Sequence, residues 1–96
     1  MRVEIKYFGF LKTDFHKNSE NVQLPEKTKL VDLLLLLAER YGQKFKEYVF
    51  DPSGSAIKKS VVVLVNGTPS GQLHGLVTEL NSGDLVEVMP IVSGGG

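Results

Sequence analysis

The chain contains no cysteine. Disulfides, thiolate metal sites and cysteine nucleophiles are thereby excluded, and any covalent sulfur chemistry involving this protein must draw on a group elsewhere. Net charge is missing as well, since eleven Lys and Arg balance eleven Asp and Glu. A nucleic-acid binder needs a basic face to neutralise phosphates, so nucleic acid is not expected as a partner. Apolar runs are short: the longest, Leu33 to Ala38, falls far below the ~20 residues that span a bilayer, and no membrane association is expected. Met1 to Lys6 alternates charged with apolar side chains and holds no run of signal-peptide length, which makes the cytoplasm the expected location. Histidine is scarce. His16 and His74 are far apart, and neither has a carboxylate or second histidine at metal-ligand or triad spacing, so both read as surface residues. Gly9, Gly42, Gly54, Gly67, Gly71, Gly75 and Gly83 fall singly at turns, without the spacing of a phosphate-binding loop. No bound cofactor or metal is expected, and no set of acid, base and nucleophile marks an enzyme active in isolation.

What remains is the composition of a small globular protein. Its 96 residues, 42% hydrophobic and 23% charged, suit one domain that buries roughly 65% of its unfolded surface. The balanced charge conceals an asymmetry. Eleven bases face eight acids through Lys59, giving +3, whereas Glu79, Asp84 and Glu87 are the only charges beyond it, giving −3. An acidic C-terminal third suits a basic partner surface.

Arg2 to Tyr7 alternates with period two and predicts a strand with Val3, Ile5 and Tyr7 on one face. Lys12, Thr13, Asp14 and Asn18 read as a polar turn region, and Val22 and Leu24 as a short second strand that Pro25 stops. Thr28 is placed to cap a helix carrying Leu30, Leu33, Leu34, Leu37, Ala38 and Tyr41 on one face, with Gly42 at its C-terminal end. The aromatics Phe45, Tyr48 and Phe50 precede Asp51-Pro52-Ser53-Gly54, which predicts a loop or small hairpin. Val61 to Val65 is a continuous apolar run of the kind buried on both faces at a sheet centre, and Asn66-Gly67 supplies the positive φ angles of a tight turn. An irregular or single-turn stretch then carries Leu73, Leu76, Val77 and Leu80 to a last strand, Leu85 to Met89, ended by Pro90. The order, strand, strand, helix, strand, strand, predicts an α+β roll: a mixed sheet of four to five strands with one main helix across it and the first and last strands as parallel central neighbours. Residues 1–90 form the domain and residues 91–96 a glycine-rich tail.

The tail is the one segment with chemistry in it. Gly94-Gly95-Gly96 contributes nothing to a core, and bare backbone threads a narrow channel where side chains would not pass. Its terminal carboxylate becomes electrophilic once an oxygen is turned into a leaving group, as adenylation by ATP does. With no cysteine in the chain, the nucleophile that follows must come from another protein.

Several fragments together resemble the ubiquitin-like β-grasp sulfur carriers of the MoaD/ThiS type. They are Lys6-Tyr7-Phe8-Gly9, Val22-Gln23-Leu24-Pro25, Val31-Asp32-Leu33-Leu34, Val65-Asn66-Gly67 and, above all, the series from Leu80-Asn81-Ser82-Gly83-Asp84 through Pro90-Ile91-Val92-Ser93-Gly94-Gly95. The stretch Tyr48 to Gly54 is closer to the small archaeal ubiquitin-like modifiers. The resemblance implies a β-grasp fold and a carrier or protein modifier rather than an enzyme. Its implied partners are a ubiquitin-activating-type adenylating enzyme that uses ATP, the large subunit of molybdopterin synthase and target-protein lysines. The implied fates of the tail are a thiocarboxylate, for molybdopterin synthesis or tRNA thiolation, and an isopeptide bond. The family pattern ends at a glycine pair that aligns with Gly94-Gly95 and leaves Gly96 over; we take Gly96 as the working terminus, with Gly94 and Gly95 threading the channel. Ile91 stands where the pattern has a second proline.

Carriers of this kind dock through an apolar sheet face. In the last strand only one of two alternating sets can face outward, and the set with the charge, Leu85, Glu87 and Met89, is the expected docking set. The competing reading is a noncovalent β-grasp binding module with an inert tail.

Overall fold

The computed structural model describes residues 1–91. Five strands, β1 (Arg2–Tyr7), β2 (Ser19–Gln23), β3 (Val61–Val65), β4 (Thr68–Pro69) and β5 (Leu85–Pro90), form one mixed sheet in the order β2-β1-β5-β3-β4. Three helices accompany it: α1 (Phe10–Phe15), α2 (Leu30–Tyr41) and α3 (Gln43–Val49). β1 and β5 are parallel neighbours, with Glu4 opposite Leu85 and Lys6 opposite Glu87, and β2 and β3 flank them antiparallel. This is the β-grasp roll anticipated from the strand order.

Period-two alternation decides the core. Val3, Ile5 and Tyr7 of β1, Val61, Val63 and Val65 of β3 and Val86 and Val88 of β5 are all buried on one sheet face. Leu30, Leu33, Leu34, Leu37 and Ala38 of α2 join them, as the helical spacing requires. α3 adds Phe45 and Val49, both completely buried.

The structure corrects four sequence expectations. The polar stretch after Gly9 is the helix α1, because Leu11 is fully buried there while Lys12, Thr13 and Asp14 face solvent. β2 begins earlier, at Ser19, since the hairpin register with β1 extends to the Lys6–Ser19 pair. Thr28 does not cap α2. Its hydroxyl donates to the Pro25 carbonyl (2.6 Å), and a bridge between Lys29 and Glu79 holds the chain extended until Leu30. Lys29 is the cap residue, and its N–H donates to the Asp32 carboxylate (3.0 Å). Finally, β5 and not β3 is the sheet centre. The valine run of β3 alternates buried with half-buried, so Val62 and Leu64 lie on the outer face without a covering layer. Phe45 and Tyr48 belong to α3, and Phe50, just past its end, is extended and bridges to Ile57 to close the expected small loop.

Candidate docking face and tail root

β5 carries the candidate site, and its phase is set at its start. Asn66 sits in the β3–β4 turn at φ 52, followed by Gly67 at φ 83, the left-handed pair that a two-residue hairpin needs. From there its side chain clasps the first turn of β5: Nδ2 donates to Asp84 Oδ1 (2.8 Å), and Oδ1 accepts from the Leu85 N–H (2.9 Å). The other carboxylate oxygen of Asp84 accepts the Asn81 N–H (2.7 Å), and the Asp84 carbonyl accepts the Glu4 N–H (3.0 Å). Asp84 is buried, so these bonds replace its water. The clasp fixes which alternating set of β5 points inward: Val86 and Val88 are fully buried. Leu85, Glu87 and Met89 lie half-buried on the opposite face.

The register assembles their surroundings. Glu87 lies between Lys6 and Leu64, Met89 beside Val62, and Leu85 beside Glu4. The outer face is thus an apolar strip of Val62, Leu64, Leu85 and Met89 with Glu87 and Lys6 set into it. Sequence alternation identified the β5 members. It missed Val62 and Leu64, because a continuous valine run carries no signal of which half faces out.

The C-terminal end of β5 is seated on Gly9. A Cβ added at Gly9 would stand 2.7 Å from Pro90 Cγ, and the residue also has φ +62, so both space and backbone demand glycine here. Ile91 then donates its N–H to the Ser60 carbonyl (2.7 Å) while its side chain is half exposed. Pro90 and Ile91, the last described residues, therefore lie against Gly9 and Ser60. Gly94, Gly95 and Gly96, the expected threading and reactive residues, lie outside the described residues.

An aromatic bed braces this end of the molecule. Phe10 stacks on Tyr48 with ring centres 4.8 Å apart, and Phe15 meets Tyr41, Phe45 and Tyr48 within 6.0 Å. Tyr48 donates to Asp14 (2.7 Å), and this hydrogen bond, with the Lys44 charge beside it, holds the Asp14 carboxyl below the usual carboxylate range. On the far side, Glu20 accepts hydrogen bonds from the Tyr7 and Tyr41 hydroxyls and from Arg40. Burial and then the Glu20 bond raise both phenols, Tyr41 to about 12 and Tyr7 further. These groups fasten helices to strands. They do not converge on a reaction centre, and among the described residues no group of three His, Asp or Glu could hold a metal ion. No helix among them is long and apolar enough to cross a membrane.

A model of the ThiS family matches residues 5–95. The chain belongs to the ThiS family. As a ThiS/MoaD-type ubiquitin-like sulfur carrier it has close structural company. A Pyrococcus furiosus protein described as molybdopterin converting factor subunit 1 is 31% identical, with 95% of this chain and 98% of that one covered at a TM-score of 0.75. Small archaeal modifier protein 1 of Methanosarcina acetivorans is 26% identical, with 97% and 95% covered at 0.82. SAMP1 of Haloferax volcanii, at 23% identity, 98% and 99% coverage and a TM-score of 0.82, shows the shared fold. A search of curated proteins returned no match. This ThiS-family chain thus carries Leu85, Glu87 and Met89 on the outer face of the central strand that leads toward its glycine-rich C-terminal residues.

Proposed function

We propose that the protein is a carrier whose C-terminal glycine is activated by adenylation and then used either as a thiocarboxylate or as an acyl donor to lysine. The observation that carries this reading is the span of the family match: it runs through the sheet and on into the glycine pair at Gly95, so fold and tail belong to one unit. The Gly96 carboxylate attacks the α-phosphorus of ATP, pyrophosphate leaves, and the mixed anhydride that results is open to attack at carbon. Hydrosulfide displaces AMP to leave a thiocarboxylate; a lysine amine displaces AMP to leave an isopeptide and a proton. The chain has no thiol of its own, so the sulfur nucleophile belongs to another molecule, and the lysine of the second route is that of a target protein. The adenylating enzyme is of the ubiquitin-activating type. A molybdopterin synthase large subunit is the further partner suggested by the Pyrococcus relative. The docking residues are Leu85, Glu87 and Met89 with Val62 and Leu64 beside them, and the site of action is the cytoplasm, where such enzymes and their ATP reside.

Intact mass spectrometry after incubation with an adenylating enzyme, ATP and sulfide tests the proposal. One oxygen is expected to be replaced by sulfur at the C-terminus. An unchanged mass, with binding to the enzyme retained, would instead identify a noncovalent module that uses the same face.

A further inference from the structure

We infer that Asn66 is a modification site: spontaneous loss of its side-chain nitrogen as ammonia turns it into aspartate or isoaspartate, and the carboxylate so formed unfastens the start of β5. The inference is independent of the tail chemistry. The chain has four asparagines, Asn18, Asn21, Asn66 and Asn81, and they precede Ser19, Val22, Gly67 and Ser82. Only Asn66 is followed by a residue without a Cβ, so only there is the next backbone nitrogen unshielded by a side chain. Asn66 and Gly67 are both exposed at the tip of the β3–β4 turn, a Cβ at Gly67 would meet nothing within 4 Å, and the Gly67 N–H has no protein acceptor among the described residues.

The reaction balances with water as its only reagent. The Gly67 nitrogen bonds to Asn66 Cγ, the Cγ–Nδ2 bond breaks, and the proton of the Gly67 N–H leaves on the departing nitrogen as ammonia. Water then adds at one of the two ring carbonyls. Opening at one gives aspartate; opening at the other gives isoaspartate, in which the main chain runs through Cβ and Cγ. In the native fold the clasp opposes the first step. Nδ2 is held by Asp84 Oδ1 (2.8 Å) and Oδ1 by the Leu85 N–H (2.9 Å), so the amide is turned toward β5, and the Asn66 N–H is itself bonded to the Leu85 carbonyl (2.8 Å). The amide has to leave these partners before it meets the Gly67 nitrogen.

The product does not fit the clasp. Asp84 is buried and is in no ion pair among the described residues; its carboxylate is met by two neutral donors, Nδ2 of Asn66 and the Asn81 N–H (2.7 Å). A carboxylate in place of the Asn66 amide removes the first donor and sets a second negative charge at hydrogen-bond distance from Asp84 Oδ1. Isoaspartate adds a main-chain atom to a turn that closes Val65 onto Thr68 through two residues, at φ 52 and φ 83. Both products therefore release the turn from Asp84 and Leu85, the point from which β5 takes its phase.

The test uses the full chain, kept in mildly alkaline buffer below its melting range or in urea, with the loss of ammonia at each asparagine followed by fragment mass spectrometry as a gain of about one mass unit. In urea Asn66 is expected to react first. In the folded chain its rate is expected to fall at least about tenfold, as an opening that gives up two hydrogen bonds requires, and Asp84→Ala to recover most of that rate at a temperature where circular dichroism shows the variant folded. The product is tested separately. Asn66→Asp is expected to melt below the parent and to exchange its Leu85 N–H about tenfold faster; the double variant Asn66→Asp/Asp84→Asn, which swaps charge and amide across the same contact, is expected to regain most of the loss. Equal rates for folded and unfolded chains, no preference for Asn66 in urea, an Asn66→Asp melt coincident with the parent, or no recovery in the swapped pair would each overturn the proposal.

Discussion

Glu20 shows how single residues tie the elements together. Its carboxylate receives Tyr7 (2.8 Å), Tyr41 and Arg40 (3.2 Å), joining β1, β2 and the end of α2. The Tyr41 phenol is raised from 10.0 to about 12 by burial first and by this bond second. A raised folded-state value means stabilisation that is complete below the unfolded value and lost as pH rises through the folded one. Stability is therefore expected to fall between pH 10.0 and about 12, and Tyr41→Phe to remove part of that fall. Urea unfolding of both proteins across this window checks it; parallel losses would show that Tyr41 has no part in the linkage. At the other end of the chain, Gly95→Val adds a branched side chain where only backbone is proposed to pass, and it narrows φ. The variant is expected to melt like the parent and to bind the adenylating enzyme, yet to fail in activation. Normal turnover by Gly95→Val would remove the narrow channel from the account.

At the scale of elements, β5 carries the proposed docking residues, and the Asn66 clasp sets its phase. Asn66→Ala removes two side-chain hydrogen bonds, one of them to a buried carboxylate, and places alanine at φ 52. A loss of about 2 kcal/mol is expected in denaturant unfolding; a loss within a few tenths would mean that the strand pairing alone sets the register. Docking through the outer face is expected to respond to Glu87→Lys with a several-fold weaker enzyme complex, more so at low salt than at high. A salt-independent effect would argue against direct electrostatic contact at Glu87.

The same elements show what could be read in advance. Strict alternation in β1 and 3.6-residue spacing in α2 are local patterns, and both elements stand where those patterns put them. The two short helices were not legible. α1 depends on Leu11 reaching the core and on Phe10 and Phe15 finding aromatic partners from α2 and α3, which are contacts distant in sequence. Thr28 had the chemistry of a cap, but its hydroxyl turns to the Pro25 carbonyl and the bridge between Lys29 and Glu79 moves the cap to Lys29. In β3, a run of valines could not say which side chains would face out.

For the whole molecule, the proposed function lies outside the part that carries stability. The described domain closes its core with the sheet and helices and ends its regular structure at Pro90, locked against Gly9. The chemistry proposed for it belongs to Gly94, Gly95 and Gly96, which lie outside the described residues. Deleting Gly95 and Gly96 tests this separation most directly, by comparing ATP–pyrophosphate exchange on the adenylating enzyme with the thermal melt. The account predicts coincident melts for the full and shortened chains, with exchange supported only by the full chain. Exchange that persists at the full rate after the deletion would contradict it.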